Sequence, residues 1–408
     1  MKYVVFLGDG MADLPLPQYD NKTPLMIANK PNMDKIAAGL AGMVKTVPDE
    51  LAPGSDTANM SVMGFDPVKY YSGRSPLEAV SMGIELQNDD IAFRCNLVTL
   101  SEPDANGSIT MLDYSSDEIS SEEAAVLIND LNKELSTDLI SFHAGKSYRH
   151  CIVWHGGPLD MKLIPPHDIL TQKIDAYLPS GNGSDLLMDL MMRSRDILAD
   201  HPINRDRIRR GLNPASSIWI WGQGTKPQLP LISDMYGIKG AVISAVDLIF
   251  GLGICAGMEL IEVEGATGNI HTNFTGKAQA AIDAFKRGQD YIYLHLEAPD
   301  ECGHRAETEN KIRSIELLDS YIIGPVWQYL EDSRKMTGED YRIMVLPDHP
   351  TPLSLRTHTS DPVPFAIYSS DNSLNRPAKA YDEQACSKTG ILIDPGHELF
   401  GMFIRGEF

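Results

Sequence analysis

The chain has 408 residues, of which 43% are hydrophobic and 22% charged, and it carries a net charge of −21. That balance describes a globular protein of two or three domains with sizeable cores, and the negative field excludes nucleic acid and anionic membrane as natural partners. No apolar run approaches the roughly 18 residues that would span a bilayer, and Tyr3–Leu7 is too short, and without a small-residue cleavage site, to be a secretory leader. The five cysteines (Cys95, Cys151, Cys255, Cys302, Cys386) are scattered and form no C-x-x-C. They predict a reducing, cytoplasmic setting and no cysteine-bound zinc. Oligomeric state is left open by the sequence.

In chain order, Tyr3–Leu7 is an apolar run that stops at Gly8-Asp9-Gly10, the pattern of a buried parallel strand ending in a turn. Asp9 therefore falls at a strand's carboxyl end, where open α/β sheets bind ligands. Residues 24–40 read as helical, broken at Pro31. Pro53-Gly54 then opens a loop, and Ser55-Asp56-Thr57 runs directly into Ala-Asn-Met-Ser-Val-Met, so Ser55 or Asp56 is expected at a helix cap. A hydroxyl there lies among unpaired N–H groups that favour phosphate. Tyr70–Pro76 reads as a connection, and a boundary is predicted beside it.

Residues 76–265 are predicted to form an inserted domain. Phe93–Leu100 is a strand with Arg94 and Asn96 on one face by its period of two. Ser120 and Glu123 have capping-box spacing ahead of a helix ending near Leu135. Tyr148-Arg149-His150 leads a strand through Trp154, His167-Asp168 follows a Pro-Pro turn, Ser184–Asp200 is an amphipathic helix, and Ser217–Trp221 is another strand. The alternation predicts α/β. Gly251-Leu252-Gly253 with Gly257 is a poor dinucleotide fingerprint: its last glycine is one residue late and no clear strand precedes it.

The first domain is predicted to resume over 266–408, giving a discontinuous core of 1–75 and 266–408. Asp290–Leu296 is a second buried strand, followed by Asp300 and His304. A long amphipathic helix over 308–331 has Ile312, Ile315, Leu318 and Ile322 in one stripe. Arg342–Leu346 is a third buried strand, ending in Asp348-His349, with His358 nine residues on. Pro364–Tyr368 and Met402–Ile404 read as further strands.

Three strands of one lobe thus lead into carboxylates, Asp9, Asp300 and Asp348, and parallel strands bring such ends to one sheet edge. Together with His304, His349, His358 and Ser55 they make seven candidate ligands, too many for one ion and suited to two. Oxygen and imidazole donors without thiolate suit Mn²⁺, Mg²⁺, Zn²⁺ or Co²⁺. Two such ions beside a serine at a helix start fit phosphoryl transfer, in which the hydroxyl pKa is lowered and charge on the phosphoryl oxygens is neutralised. No G-x-S-x-G elbow and no Walker loop is present.

Gly8-Asp9-Gly10-Met11-Ala12-Asp13, Pro53-Gly54-Ser55-Asp56-Thr57-Ala58-Asn59, Glu297-Ala298-Pro299-Asp300-Glu301-Cys302-Gly303-His304 and Pro347-Asp348-His349 with His358 resemble the archaeal-type, cofactor-independent phosphoglycerate mutases of the alkaline phosphatase superfamily. The resemblance runs through nearly the whole chain. It implies an alkaline-phosphatase-like α/β core with a mostly parallel sheet, interrupted by an inserted α/β substrate lobe. It implies two divalent ions, Mn²⁺ foremost, with no 2,3-bisphosphoglycerate. Asp9, Ser55, Asp348 and His349 would hold one ion, and Asp300, His304 and His358 the other. Ser55 would carry the phosphoryl group between 2- and 3-phosphoglycerate. Arg94, Asn96, Arg149, His150, His167 and Asp168 look like the groups that bind this small phosphorylated hydroxy acid. The sequence is similar also to a bacterial branch of the family proposed to act as a homoserine kinase, which leaves a related phosphotransferase or phosphatase as the alternative.

Overall fold

The computed structural model describes residues 1–408. It divides into two compact units, residues 1–71 with 228–408, and residues 72–227. No helix is long and apolar enough to cross a membrane.

The first unit is built on an eight-stranded sheet in the order Glu259–Ile261, Gly240–Ile243, Tyr291–Leu296, Lys2–Gly8, Tyr341–Leu346, Val363–Ser369, Leu40–Val44, Leu392–Ile393. Every pairing is parallel except the two made by Val363–Ser369. The central strands are buried on both faces, which is why they read as unbroken apolar runs. One face, with Val4, Phe6, Ile292, Leu294, Ile343 and Val345, packs on Ile315, Leu318, Ile322 and Val326 from the segment after Thr308. Each such side chain contributes roughly 1.5–3 kcal/mol on burial.

The second unit carries a five-stranded sheet in which Asp90–Leu100 pairs with Met111–Asp113, Arg149–His155 and Ser217–Thr225, and Ile140–His143 extends it beyond Arg149–His155. All these pairings are antiparallel. The helices Ser121–Leu135 and Ser184–Ala199 supply Leu127, Leu131, Leu187 and Leu190 to its core.

Several boundaries differ from the sequence reading. The joints fall after residues 71 and 227, not 75 and 265. Residues 228–265 belong to the core because Gly240–Ile243 hydrogen-bonds in register with Tyr291–Leu294 and bridges to Glu259–Ile261. Met402–Ile404 is not a strand; it lies in the helix Glu398–Arg405, whose Leu399, Phe400, Phe403 and Ile404 are buried at helical spacing. The helix predicted over 24–40 is two short helices, Pro24–Ile27 and Pro31–Ala37, followed by strand Leu40–Val44. The 308–331 stretch is Thr308–Leu317, a wider π-type turn Leu318–Ile323, and Gly324–Thr337. The glycines at 251 and 253 sit inside the helix Asp247–Cys255, as a packing surface and not a phosphate loop.

Candidate metal centre and phosphoryl site

Three neighbouring strands of the core sheet end side by side. Gly8 is in register with Leu296, and Leu7 with Leu346. Asp9, Asp300 and Asp348 therefore emerge at one edge although hundreds of residues separate them. Asp9, Asp348 and His349 are fully buried, and Asp300 nearly so. Gly10 turns the chain away with φ of +60°, and a side chain there would come within 2.6 Å of Asp300 Oδ1. This is a position that only glycine fills.

Ser55 is the first residue of the helix Ser55–Val62, and its cap is Gly54, whose extended backbone carbonyl accepts from Ala58 N. Neither Ser55 nor Asp56 caps the helix through its side chain, contrary to the sequence reading. The Asp56 carboxylate instead accepts from Thr57 N at 2.9 Å and from the Tyr71 hydroxyl at 2.5 Å. Ser55 is left to point its hydroxyl outward, with Oγ 3.2 Å from His349 Nε2. The helix is tied to the sheet by Asn59. Its amide donates to Ser55 O (2.8 Å) and to Asp348 Oδ2 (2.7 Å), and its carbonyl accepts from the Tyr293 hydroxyl (2.5 Å).

Asp348 Oδ1 accepts from Gly10 N at 3.1 Å and His349 N at 2.9 Å. His349 Nε2 faces Asp348 Oδ2 at 3.3 Å and Asp9 Oδ1 at 3.6 Å, and its Nδ1 lies 3.3 Å from Thr351 Oγ1. Thr351 gives its own proton to Asp300 Oδ1 at 2.5 Å, so it accepts from His349 Nδ1–H. The bare Nε2 of His349 then converges with two carboxylates. Asp9 Oδ1 is buried and has no hydrogen-bond partner. Burial, then the charge of Asp348, pushes the Asp9 carboxyl well above its ordinary range. Lone pairs facing lone pairs in a dry place are what a divalent cation stabilises.

The second group is Asp300, His304 and His358. Asp300 Oδ2 is 3.2 Å from His304 Nε2, Asp300 Oδ1 is 3.4 Å from His358 Nε2, and the two imidazoles approach at 3.0 Å. His304 Nδ1 donates to the Arg356 carbonyl at 3.0 Å, which turns Nε2 toward the other two. Burial raises the pKa of Asp300, but hydrogen bonds from His304 and His358 outweigh it and hold the carboxyl well below its usual range. The bond to Asp300 lifts His304 to about 9. Asp300, His304 and His358 present ligand atoms within 4.8 Å of one another, and so do Asp9, Asp300 and His349. Both groups could hold an ion.

A buried lysine locks these loops together. Lys311 Nζ donates to Asp13 Oδ2 at 2.7 Å and to Thr351 O at 2.8 Å, while Asp13 accepts from Leu353 N. The sequence reading passed over Lys311, Asn59, Thr351 and His295. The single histidine inside the apolar strand Tyr291–Leu296 was the available signal for His295, and the place of Lys311 on the same helical stripe as Ile315, Leu318 and Ile322 was the signal for Lys311.

The six residues expected to bind substrate all lie in the second unit. Arg94, Asn96 and Arg149 share one sheet face, with Asn96 paired opposite Arg149. Arg94 is held by Glu78 at 3.0 Å and stacked over Trp221 at 4.4 Å. Asn96 accepts from Trp221 Nε1 at 3.0 Å and donates to Tyr114 O at 3.1 Å. Arg149 is exposed, over the Tyr148 ring. The His167 ring meets Trp221 edge-on at 5.3 Å, and Asp168 is exposed beside it. His150 is not brought to this group: it alternates to the face of Ile152 and Trp154, and burial lowers its pKa to about 3.

Fold and site together define an α/β protein with a cluster of buried carboxylates and imidazoles, spaced so that it could hold a metal ion, at the carboxyl edge of a mostly parallel sheet. The family model for 2,3-bisphosphoglycerate-independent phosphoglycerate mutase matches residues 37–204. The chain is 49% identical over 408 residues to the 2,3-bisphosphoglycerate-independent phosphoglycerate mutase of Methanosarcina mazei, covering 99% of this chain and 100% of that protein. It superposes on the PH0037 protein from Pyrococcus horikoshii with a TM-score of 0.81 at 27% identity, over 99% of this chain and 96% of the other. A cofactor-independent phosphoglycerate mutase from Thermoplasma acidophilum shares the fold, with a TM-score of 0.68 at 22% identity and complete coverage (100% of each chain). The chain belongs to the family of 2,3-bisphosphoglycerate-independent phosphoglycerate mutases, which are isomerases.

Proposed function

We propose that the protein interconverts 2- and 3-phosphoglycerate through a phosphoserine on Ser55, with two divalent ions and no 2,3-bisphosphoglycerate. The observation that carries this reading is the position of Ser55 Oγ, 3.2 Å from a buried His349 that faces Asp9 and Asp348. Asp9, Ser55, Asp348 and His349 hold one ion; Asp300, His304 and His358 hold the other. When bound, the ions supply positive charge that acidifies the serine hydroxyl and neutralises the phosphoryl oxygens. Ser55 Oγ loses its proton and forms a bond to phosphorus, the glycerate oxygen leaves with the bonding pair, and it takes up a proton. The neighbouring glycerate hydroxyl then attacks the phosphoserine, releasing Ser55 with its proton restored. Asn59 keeps the Ser55 helix start and Asp348 in fixed relation throughout. Within the second unit, Arg94 is committed to Glu78 and Trp221, so Arg149, exposed on the same face, is the cation assigned to the glycerate carboxylate. None of the five cysteines forms a disulfide and all are buried, which supports a reducing, cytoplasmic location.

The test is purified protein with Mn²⁺ and 3-phosphoglycerate, without ATP or 2,3-bisphosphoglycerate. Formation of 2-phosphoglycerate, with label from the substrate trapped on Ser55 alone, is the expected result. Turnover that requires ATP and homoserine would overturn it.

A further inference from the structure

His295 takes no part in the ligand sets above, yet it is fully buried at the centre of the core sheet, in register with Leu7 and five residues before Asp300. An imidazole in such an apolar strand is costly unless both nitrogens are satisfied. Both are. Nδ1 lies 3.1 Å from Ser244 Oγ, and Nε2 lies 2.9 Å from Asp9 Oδ2. The sheet explains the meeting: Ile243 pairs with Leu294, so Ser244 leaves its strand beside His295.

The hydrogen bonds fix the tautomer. Val246 N donates to Ser244 Oγ at 3.0 Å, which leaves the serine's own proton for His295 Nδ1. Nδ1 is then an acceptor, and the ring proton sits on Nε2, directed at Asp9 Oδ2. Lys277, also fully buried, donates to the His295 carbonyl at 2.7 Å and pins the backbone beneath the ring. Asp9 thus has one oxygen engaged by His295 and the other, Oδ1, buried without a partner and facing His349.

We propose that His295, held in a single tautomer by Ser244, is a positioning residue that occupies Asp9 Oδ2 so that Oδ1 alone is presented to the divalent ion. This rests on the reading of Asp9 as a metal ligand. Asp9, His295 and Glu297 also stand within 4.8 Å of one another, a spacing that would admit an ion. The protonated Nε2 makes His295 a donor to Asp9 and not a ligand.

The experiment titrates the metal-stripped full-length protein with Mn²⁺, following free ion by electron paramagnetic resonance, alongside thermal unfolding. Variants are His295→Gln, His295→Leu, Ser244→Ala and Asp9→Ala. Asp9→Ala should lose the tighter or weaker of two Mn²⁺ steps outright. His295→Leu should weaken that same step by about 10- to 100-fold, the usual effect of removing a ligand's hydrogen-bond partner. His295→Gln, whose amide N–H can take the place of Nε2–H, should recover most of it at an unfolding temperature like that of the leucine variant. Ser244→Ala should weaken the step while leaving the histidine in place. In ¹⁵N-histidine spectra of the wild type, the His295 signals should show protonated Nε2 and bare Nδ1. Unchanged Mn²⁺ binding in both His295→Leu and Ser244→Ala overturns the proposal. So does the loss of a third, separate Mn²⁺ in His295→Leu, which would make His295 a ligand. If Asp9→Ala binds Mn²⁺ as the wild type does, the ligand assignment itself falls, and the proposal with it.

Discussion

The strand-end cluster of the core and the buried arginine of the inserted unit hold charge in opposite ways. In the core, Asp9, Asp348 and His349 are fully buried at the ends of parallel strands, and one carboxylate oxygen among them has no hydrogen-bond partner. In the inserted unit, Arg207 is as deeply buried, but its guanidinium donates to Glu123 Oε2 and Ser116 O at 2.5 Å and to Asn213 O at 3.0 Å. Parallel neighbours bring their carboxyl ends to one edge and concentrate acids there; antiparallel neighbours end on opposite edges and spread polar residues along a face, as Arg94, Asn96 and Arg149 are spread. An incompletely satisfied buried cluster marks a place where something else binds. A fully satisfied one marks architecture.

The largest test removes one buried cation from each unit. Lys311→Met leaves Asp13 buried without its ion pair, and Arg207→Met leaves two carbonyls without their donor and the part-exposed Glu123 with Arg210 alone. The first should cost about 3–5 kcal/mol in urea unfolding, and the second less, because its carboxylate keeps a partner. The comparison lies in what else changes. Lys311→Met also frees Thr351, whose hydroxyl donates to Asp300, so it should weaken Mn²⁺ binding and turnover. Arg207→Met should leave both as in the wild type at temperatures where it is folded. Lost Mn²⁺ binding in Arg207→Met would break the division of labour.

Next comes the nucleophile. Ser55→Ala should lower mutase turnover by at least the ~10²–10³ expected of a lost catalytic group, with Mn²⁺ still bound by the Asp300 group. Near wild-type interconversion by this variant would remove Ser55 from the mechanism. Arg149→Ala should retain Mn²⁺ and labelling of Ser55 but bind substrate about tenfold more weakly and release more inorganic phosphate, because a charge-assisted contact to the substrate is gone. An unchanged KM and no added phosphate release would move carboxylate binding elsewhere.

How much of this could be read in the sequence follows the same contrast. The strand-end acids were legible because each follows a buried apolar run, and the resemblance assigned their histidine partners. What failed was short or ambiguous. Gly240–Ile243 is only four residues long, so the run carries too little pattern to show that it completes the core sheet, and the sequence alone places the boundary near 265. Met402–Ile404 shows no period in three residues, and only the wider spacing of Leu399, Phe400, Phe403 and Ile404 reveals a helix. Hydrogen-bond partners such as Ser244 with His295 meet across strands and leave no local spacing to read.

The smallest effect concerns two part-buried carboxylates whose pKa values are shifted in opposite directions. Glu383 in the core accepts from Asp13 N at 3.1 Å and from Thr23 Oγ1 at 2.6 Å, with no cation against it, and burial lifts its pKa to about 7. Glu78 in the inserted unit lies between Arg74 at 2.7 Å and Arg94 at 3.0 Å. Burial raises its pKa, but Arg74 and Arg94 outweigh this and leave it lowered. The signs follow from linkage. A carboxyl raised in the folded state binds its proton more tightly there, so the stability it lends is present below its unfolded pKa and lost as pH rises toward 7. One that is lowered lends stability above its unfolded pKa and loses it as pH falls. Glu383→Gln should therefore flatten the fall in unfolding free energy between about pH 5 and pH 7, a change of at most about 2 kcal/mol. Glu78→Gln should leave that window unaltered and reduce stability at neutral pH, with the deficit closing as pH falls below the ordinary glutamate range. Urea titrations across this range read both. A Glu383→Gln protein with the wild-type slope would show that burial there is relieved by solvent, and a Glu78→Gln protein as stable as the wild type at neutral pH would show that its two arginines do not need it.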